Sequence, residues 1–435
     1  GSTTGWGSSI ENIPIGQTTS ADASFNKVVI KNNLNVVGNG TFTSIDSACI
    51  NLPVGTTTSR PSNPSVGTIR YNSETYNFEG YSGFGGGSWI LLTNHARHRI
   101  QPLYVFTSHT FTNCGAVGRF GPTLPQMVST YNEASWATNT AFLNSSTRGT
   151  GIQVWTVPIS GFYTIKAYGA DAAFSNGGKG AIITATFYLS QSDKIDILVG
   201  QRPHPYTIEN RGGAGGTFVV KKDSTVNTDI LVIAGGGGGQ PLVNPSNNPN
   251  KHGNTSENGQ NGYGAGGASL YNLPGGGLDS QGNAKPITLG AGGNYYHPGG
   301  EGGSGFSGQA EANSAWSPAA NDRSQSFIAM NNAGQGGWGE DDEELGAYNY
   351  GGFGGGGGHS VRPSSVQSWL NGYLGCGGGG GYSGGGPGAH TTAIPSAGGG
   401  GGSYVTGHND YQIVKKTGDT DGNHGQGKVE IEFIS

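Results

Sequence analysis

Apolar residues along this chain come in short blocks that alternate with polar ones, and Gly, Asn and Pro clusters cut every block off. Period-two alternation closed by turn residues is the pattern of β-strands. To about residue 99 the blocks are shortest, as in Lys27-Val28-Val29-Ile30 and Asn35-Val36-Val37. Strands so lean bury little alone and gain stability most cheaply by intertwining with copies of themselves. From about 100 to 234 the blocks are stronger: Ile152 to Val157, Gly161 to Tyr168, Ala181 to Leu189, Ile195 to Val199, Thr217 to Val220 and Ile230 to Ile233. Spaced by turn signals, they predict a β-sandwich, whose last strand, Lys428 to Ile434, lies at the far end of the chain. The stretch from 235 to 402 is therefore expected as an insertion between two strands of one sandwich.

Composition agrees with strands and argues against helices. Hydrophobic residues make up 33% of the 435 positions and charged ones 11%, too few for a helical core or a charged disordered chain. Helix formers are scarce, while Gly occurs 85 times. The net charge of −5, with basic residues dispersed, offers no footprint for nucleic acid. No run of about 18 apolar residues exists, so no membrane insertion is expected. Cys49, Cys114 and Cys376 are too far apart for a metal motif and read as three separate thiols, with one Cys114–Cys376 bridge as the alternative. The opening Gly1-Ser2 reads as a cloning scar, which leaves a removed signal peptide open.

The glycine runs at 235–239, 354–358, 377–381 and 398–402 have two readings. As flexible linker they would exploit the entropy of glycine. As polyproline-II-like rods, with three residues per turn, five glycines would span roughly 16 Å and pack backbone to backbone. Their interleaving with aromatic segments favours rods.

Two resemblances meet these patterns. Ile13-Pro14-Ile15-Gly16-Gln17-Thr18-Thr19, and Arg60-Pro61-Ser62-Asn63-Pro64 through Gly67-Thr68-Ile69-Arg70-Tyr71-Asn72 with Phe78-Glu79-Gly80-Tyr81 and Ser88-Trp89-Ile90, resemble elements of viral and phage tail fibres. Phe111-Thr112-Asn113-Cys114-Gly115-Ala116, Gly151-Ile152-Gln153-Val154-Trp155, Ile197-Leu198-Val199-Gly200-Gln201, Leu231-Val232-Ile233-Ala234 and Gly351-Gly352-Phe353-Gly354 are similar, in the same order, to the extracellular glycine-rich region of the anaplastic lymphoma kinase and leukocyte tyrosine kinase receptors. The second resemblance implies a tumour-necrosis-factor-like sandwich (a jelly roll) carrying an inserted glycine-helix bundle that binds protein ligands. This chain departs from it in lacking most of the cysteines and any kinase segment.

The expected organisation is thus all-β: a fibre-like part over 1–99, a sandwich over 100–234 plus 403–435, and a polyglycine-II bundle over 235–402 bearing binding loops. No catalytic constellation is expected. G-x-G-x-x-G matches carry no information in a segment so dense in glycine, and Gly381-Tyr382-Ser383-Gly384-Gly385 lacks the strand-to-helix context of a nucleophile elbow. Glu340-Asp341-Asp342-Glu343-Glu344 is the one dense charge run. It reads as a solvated loop, with a basic partner and then a metal ion as the further readings. Tyr and Trp set among Ser, Gly and Asn have the composition of binding loops. The residues expected at a receptor-binding surface are Tyr295, Tyr296, Trp338, Asp341, Asp342, Glu343, Glu344, Tyr348, Tyr350, Trp369 and Tyr373.

The function these expectations support is a non-enzymatic adhesin at the tip of a viral or phage tail fibre. It would act outside the cell on the virion, follow an upstream shaft, form a homotrimer and bind a protein or glycan host receptor without a cofactor. The alternative is a ligand-binding ectodomain of a cell-surface receptor.

Overall fold

Asn72 ends a strand and closes a turn at once, because its carboxamide oxygen accepts the N–H groups of Glu74 at 3.0 Å and Thr75 at 3.3 Å. That turn joins two strands of a small sheet made of β1 (Val54–Gly55), β2 (Ile69–Asn72), β3 (Asn77–Ser82) and β4 (Ser88–Leu91), in that spatial order. β1 runs parallel to β2 and the other pairs are antiparallel. The computed structural model describes residues 52–83, 87–92, 101–172, 177–203, 212–240, 249–262, 290–293, 300–310, 323–338, 341–342, 347–348, 350–358, 375–388, 397–406, 414–416 and 422–434. The chain folds as two compact units, Gly1–Ala96 and Arg97–Ser435. Among the described residues of the first, the buried side chains are polar. Glu79 pairs with Arg60 and accepts from Asn72 at 2.8 Å, and Arg70 donates to the Thr56 carbonyl at 2.8 Å.

The second unit is a sandwich of two sheets. One has the order β15-β12-β11-β10-β7-β6, built from β6 (Leu143–Ser145), β7 (Gln153–Thr156), β10 (Lys194–Leu198), β11 (Thr217–Lys221), β12 (Ile230–Ala234) and β15 (Tyr404–Val405). The other has the order β16-β9-β8-β17-β5, from β5 (Ser108–Phe111), β8 (Gly161–Tyr168), β9 (Ile182–Leu189), β16 (Val414–Lys416) and β17 (Lys428–Phe433). A third pair, β13 (Asp341–Asp342) and β14 (Ala347–Tyr348), stands apart. The all-β expectation holds, with one short helix, α1 (Leu124–Thr130), added. Gln126 accepts the Thr123 N–H at 2.8 Å, which ties off the first turn of α1.

Alternation decides which face of each strand turns inward. On β8 and β9 the residues Tyr163, Ile165, Ala167, Ile183, Ala185, Phe187 and Leu189 are buried against Trp155, Ile195, Ile197, Val219 and Val232 of the facing sheet. The six-stranded sheet is covered on its other face too. There Ile152, Leu198, Phe218, Val220, Ile230 and Ile233 meet Phe306, Phe327, Phe353 and Tyr382, which the glycine-rich stretch supplies. Phe327 stacks on both Phe218 and Phe306. A fully buried aromatic contributes about 2 to 3 kcal/mol, so four such rings anchor a segment otherwise poor in side chains.

The chain leaves the sheet at Ala234 and rejoins it at Tyr404, and between them the glycine segments bond laterally. In the run 377–381 the N–H groups of Gly378 and Gly381 donate to Glu301 and Ser304, those of Gly379 and Gly380 to Gly399 and Ala214. The carbonyls of Gly377 and Gly380 accept from Gly239 and Gly236, and those of Gly378 and Gly379 from Gly357 and Gly385. Residues three apart thus meet the same neighbour, the signature of a rod with three residues per turn. This rod is bonded to segments on every side of it. A Cβ at Gly377, Gly378, Gly379, Gly380 or Gly381 would in each case fall inside 3.0 Å of a neighbouring backbone. The glycine runs are ordered by these bonds.

Cys114 and Cys376 are buried, separate thiols. Burial pushes the Cys114 thiol above its ordinary range.

Candidate functional site

A clamp of aromatic rings flanks the pair of short strands that includes Asp341 and Asp342. β13 and β14 pair in register Asp341 with Tyr348 and Asp342 with Ala347, forming a two-stranded hairpin. At its root Trp338 and Tyr350 meet edge to face, with ring centroids 5.3 Å apart and planes at 69°. The Arg119 guanidinium lies 5.3 Å from the Trp338 ring, 5.6 Å from Tyr350 and 5.1 Å from Phe120. Three aromatic faces around one buried cation make a cation–π box filled from within the chain. The two expected anchors are half-buried in this clamp, whereas Phe120 is 61% exposed beside it.

Backbone bonds fix Arg119 relative to the rods. Its carbonyl accepts the Gly336 N–H at 2.9 Å, and the Gly118 carbonyl accepts that of Phe353 at 2.6 Å. Gly351 donates to Gly337 at 3.0 Å, which closes the hairpin root. Beneath it lies Glu301. Its carboxylate accepts the N–H groups of Ser324 at 2.6 Å and Gly358 at 3.0 Å, while its own N–H donates to the Gly358 carbonyl at 3.0 Å. Burial pushes this carboxyl up to about 7, although the two backbone donors and the Arg119 charge favour its ionised form. The clamp therefore couples a cation in an aromatic box to a carboxyl in the glycine bundle.

Of the residues expected at the binding surface, Trp338 and Tyr350 are brought together, and Asp341, Asp342 and Tyr348 lie on the paired strands of the hairpin. Tyr295, Tyr296, Glu343, Glu344, Trp369 and Tyr373 lie outside the described residues. Sequence reasoning missed Arg119, Phe120 and Glu301. Arg119 was hidden because the basic residues are scattered and its partners are far away in sequence. Glu301 carried a usable signal, as a lone carboxylate within Gly300-Glu301-Gly302-Gly303, where a rod must supply donors for any charge it encloses. Ser383, the centre of the rejected elbow pattern, is buried and its hydroxyl accepts the Gly290 N–H at 3.1 Å.

No family model matches the chain. Part of it is similar to the leukocyte tyrosine kinase receptor of Mus musculus, 35% identical over 112 residues. That stretch is 23% of this chain and 12% of the receptor, so the chain spans a small fraction of the relative it matches.

Proposed function

We propose that this chain is a non-enzymatic, extracellular recognition module, a receptor-like glycine-rich domain that binds its ligand through the hairpin between Trp338 and Tyr350. The observation that carries the reading is the clamp. A rod bundle intolerant of side chains holds Arg119, Glu301 and the root of the hairpin, whose sequence is the acidic run, and the exposed ring of Phe120 packs on the same guanidinium. Rigid scaffolds that present variable loops are the usual architecture of binding proteins. An acidic sequence in the hairpin and an apolar ring exposed at its root suit a protein ligand bearing basic and apolar residues. The partial similarity to a receptor supports the same reading.

Surface plasmon resonance of the intact chain against a synthetic Arg/Lys-rich peptide tests it. Asp341→Asn with Asp342→Asn should weaken binding by about tenfold and flatten its salt dependence. Phe120→Ala should weaken it without changing that dependence. Equal binding by all three proteins would refute the assignment.

The motif from Arg60 to Trp89 favours a second reading, an adhesin at a virion fibre tip that takes a host-surface protein or glycan. Two of its charged residues, Arg60 and Glu79, are each other's partner in the first unit. Binding of labelled chain to whole cells, compared before and after protease or glycosidase treatment, separates a protein receptor from a glycan one.

A further inference from the structure

An antiparallel sheet with one face open normally turns its apolar side chains to the covered face and its charges to water. The four-stranded sheet of the first unit does the reverse. Its register sets Ile69 opposite Gly80 and Gly80 opposite Ile90, and Tyr71 opposite Phe78. Ile69, Tyr71, Phe78 and Ile90 therefore share a face, and Leu92, whose N–H donates to the Phe78 carbonyl at 2.9 Å, extends it. Ile69, Phe78, Ile90 and Leu92 are 44%, 41%, 48% and 45% exposed. Arg70, Asn72 and Glu79 point to the opposite face and are buried, at 4%, 0% and 1%. Among the described residues, this unit contributes none to an apolar core.

We propose that the face carrying Ile69, Tyr71, Phe78, Ile90 and Leu92 is the surface on which a second copy of this chain docks. It does not depend on the recognition reading above. Ile69, Phe78, Ile90 and Leu92 together leave on the order of 300 Å² of apolar surface open, the scale of the largest patch on a typical monomer, which is often functional. Two such faces together would bury about 600 Å², close to the apolar share of the smallest stable interfaces. Among the described residues, the strand positions on this face hold no charge, so two copies meet without opposing like charges. A partner with a charged face would instead strand its charges against a surface that cannot pair them. A self-complementary, uncharged patch is what symmetric association requires.

Sedimentation velocity of the intact chain at mid-micromolar concentration should give a multiple of the single-chain mass. Phe78→Lys with Ile90→Lys should reduce it to one chain. Leu91→Lys should leave the mass unchanged, since Leu91 is equally exposed, at 45%, but faces the other way opposite Glu79. Should the double variant misfold, Ile90→Cys in a Cys49→Ser background decides the matter: mild oxidation should cross-link copies through this face. A single-chain mass for the parent, a folded double variant that keeps the parent's mass, or no cross-link each overturns the proposal.

Discussion

Trp338 and Tyr350 meet edge to face across the root of a hairpin, and each also lies within 6 Å of the same guanidinium, that of Arg119. The rings need the cation and the cation needs the rings, because Arg119 is only 4% exposed. The position of the hairpin is thereby set by residues that form part of the rods' end rather than by the hairpin itself.

Arg119→Lys keeps the charge but loses the planar face that stacks on the rings, which is worth about 1 kcal/mol. Amide exchange at Asp342 and Ala347 should quicken by roughly fivefold while exchange in the sandwich strands stays as before. Unchanged exchange at the hairpin would mean that the box does not hold it.

Gly379→Ala places a Cβ against the Gly236 backbone, which is fixed by its own bond to Gly380 and cannot yield. Overpacking of this kind should cost about 3 kcal/mol and lower Tm by about 5 °C. Gly115→Asn is the control, since nothing lies within 4 Å and its φ of +76° is one that Asn tolerates. A Gly379→Ala protein as stable as the control would return the run to the linker reading.

Strands with a covered and an open face were legible from alternation, as at β8 and β9. β7, β10, β11 and β12 were legible as continuous apolar blocks, because both of their faces are covered. α1 was not foreseen: Pro125 and the surrounding Gly and Asn masked the short Thr123-x-x-Gln126 cap. The rods were legible as one of two readings, but which run bonds to which was not. Glycine has no side chain in which a partner can be encoded, and the pairing of Gly380 with Ala214 joins residues far apart in sequence. The clamp failed to appear for the same reason, since Arg119 meets Trp338 only once the rods have folded.

Glu301 and His109 give stability opposite pH dependences. The Glu301 carboxyl is raised by burial from 4.5 to about 7, so the folded state holds a proton that the unfolded state releases. Its contribution is complete below about 4.5 and is lost as pH rises through about 7, on the order of 3 kcal/mol. His109, packed edge to face against Phe111, Tyr131 and Trp136, is lowered by burial from 6.5 to about 4. Its contribution is complete above about 6.5 and is lost as pH falls through about 4. Melting curves from about pH 5 to about pH 8 should show the parent's advantage over Glu301→Gln shrinking with pH and its advantage over His109→Phe growing. Two flat differences would show that burial controls neither group.

The last prediction concerns the joint between sandwich and glycine bundle. Arg148 Nε lies 3.8 Å from Asp196 Oδ2, with both side chains buried, and the guanidinium also donates to the Ser224 carbonyl at 2.8 Å. It sits 5.9 Å from the ring of Phe327, one of the four aromatics that seat the bundle on the sheet. Burial pushes the Asp196 carboxyl up, so the pair survives on mutual attraction against a desolvation cost. Asp196→Leu strands the Arg148 charge and should cost about 3 to 5 kcal/mol, whereas a well-packed apolar pair at the same positions can be neutral. Arg148→Met with Asp196→Leu should therefore recover most of the loss, giving a coupling well above 1 kcal/mol in a double-mutant cycle by urea unfolding. Because the joint positions the rods, the single variant should also weaken binding at the hairpin, and the double variant should restore it. Additive losses in stability, with binding untouched, would mean that the pair neither interacts nor aligns the bundle.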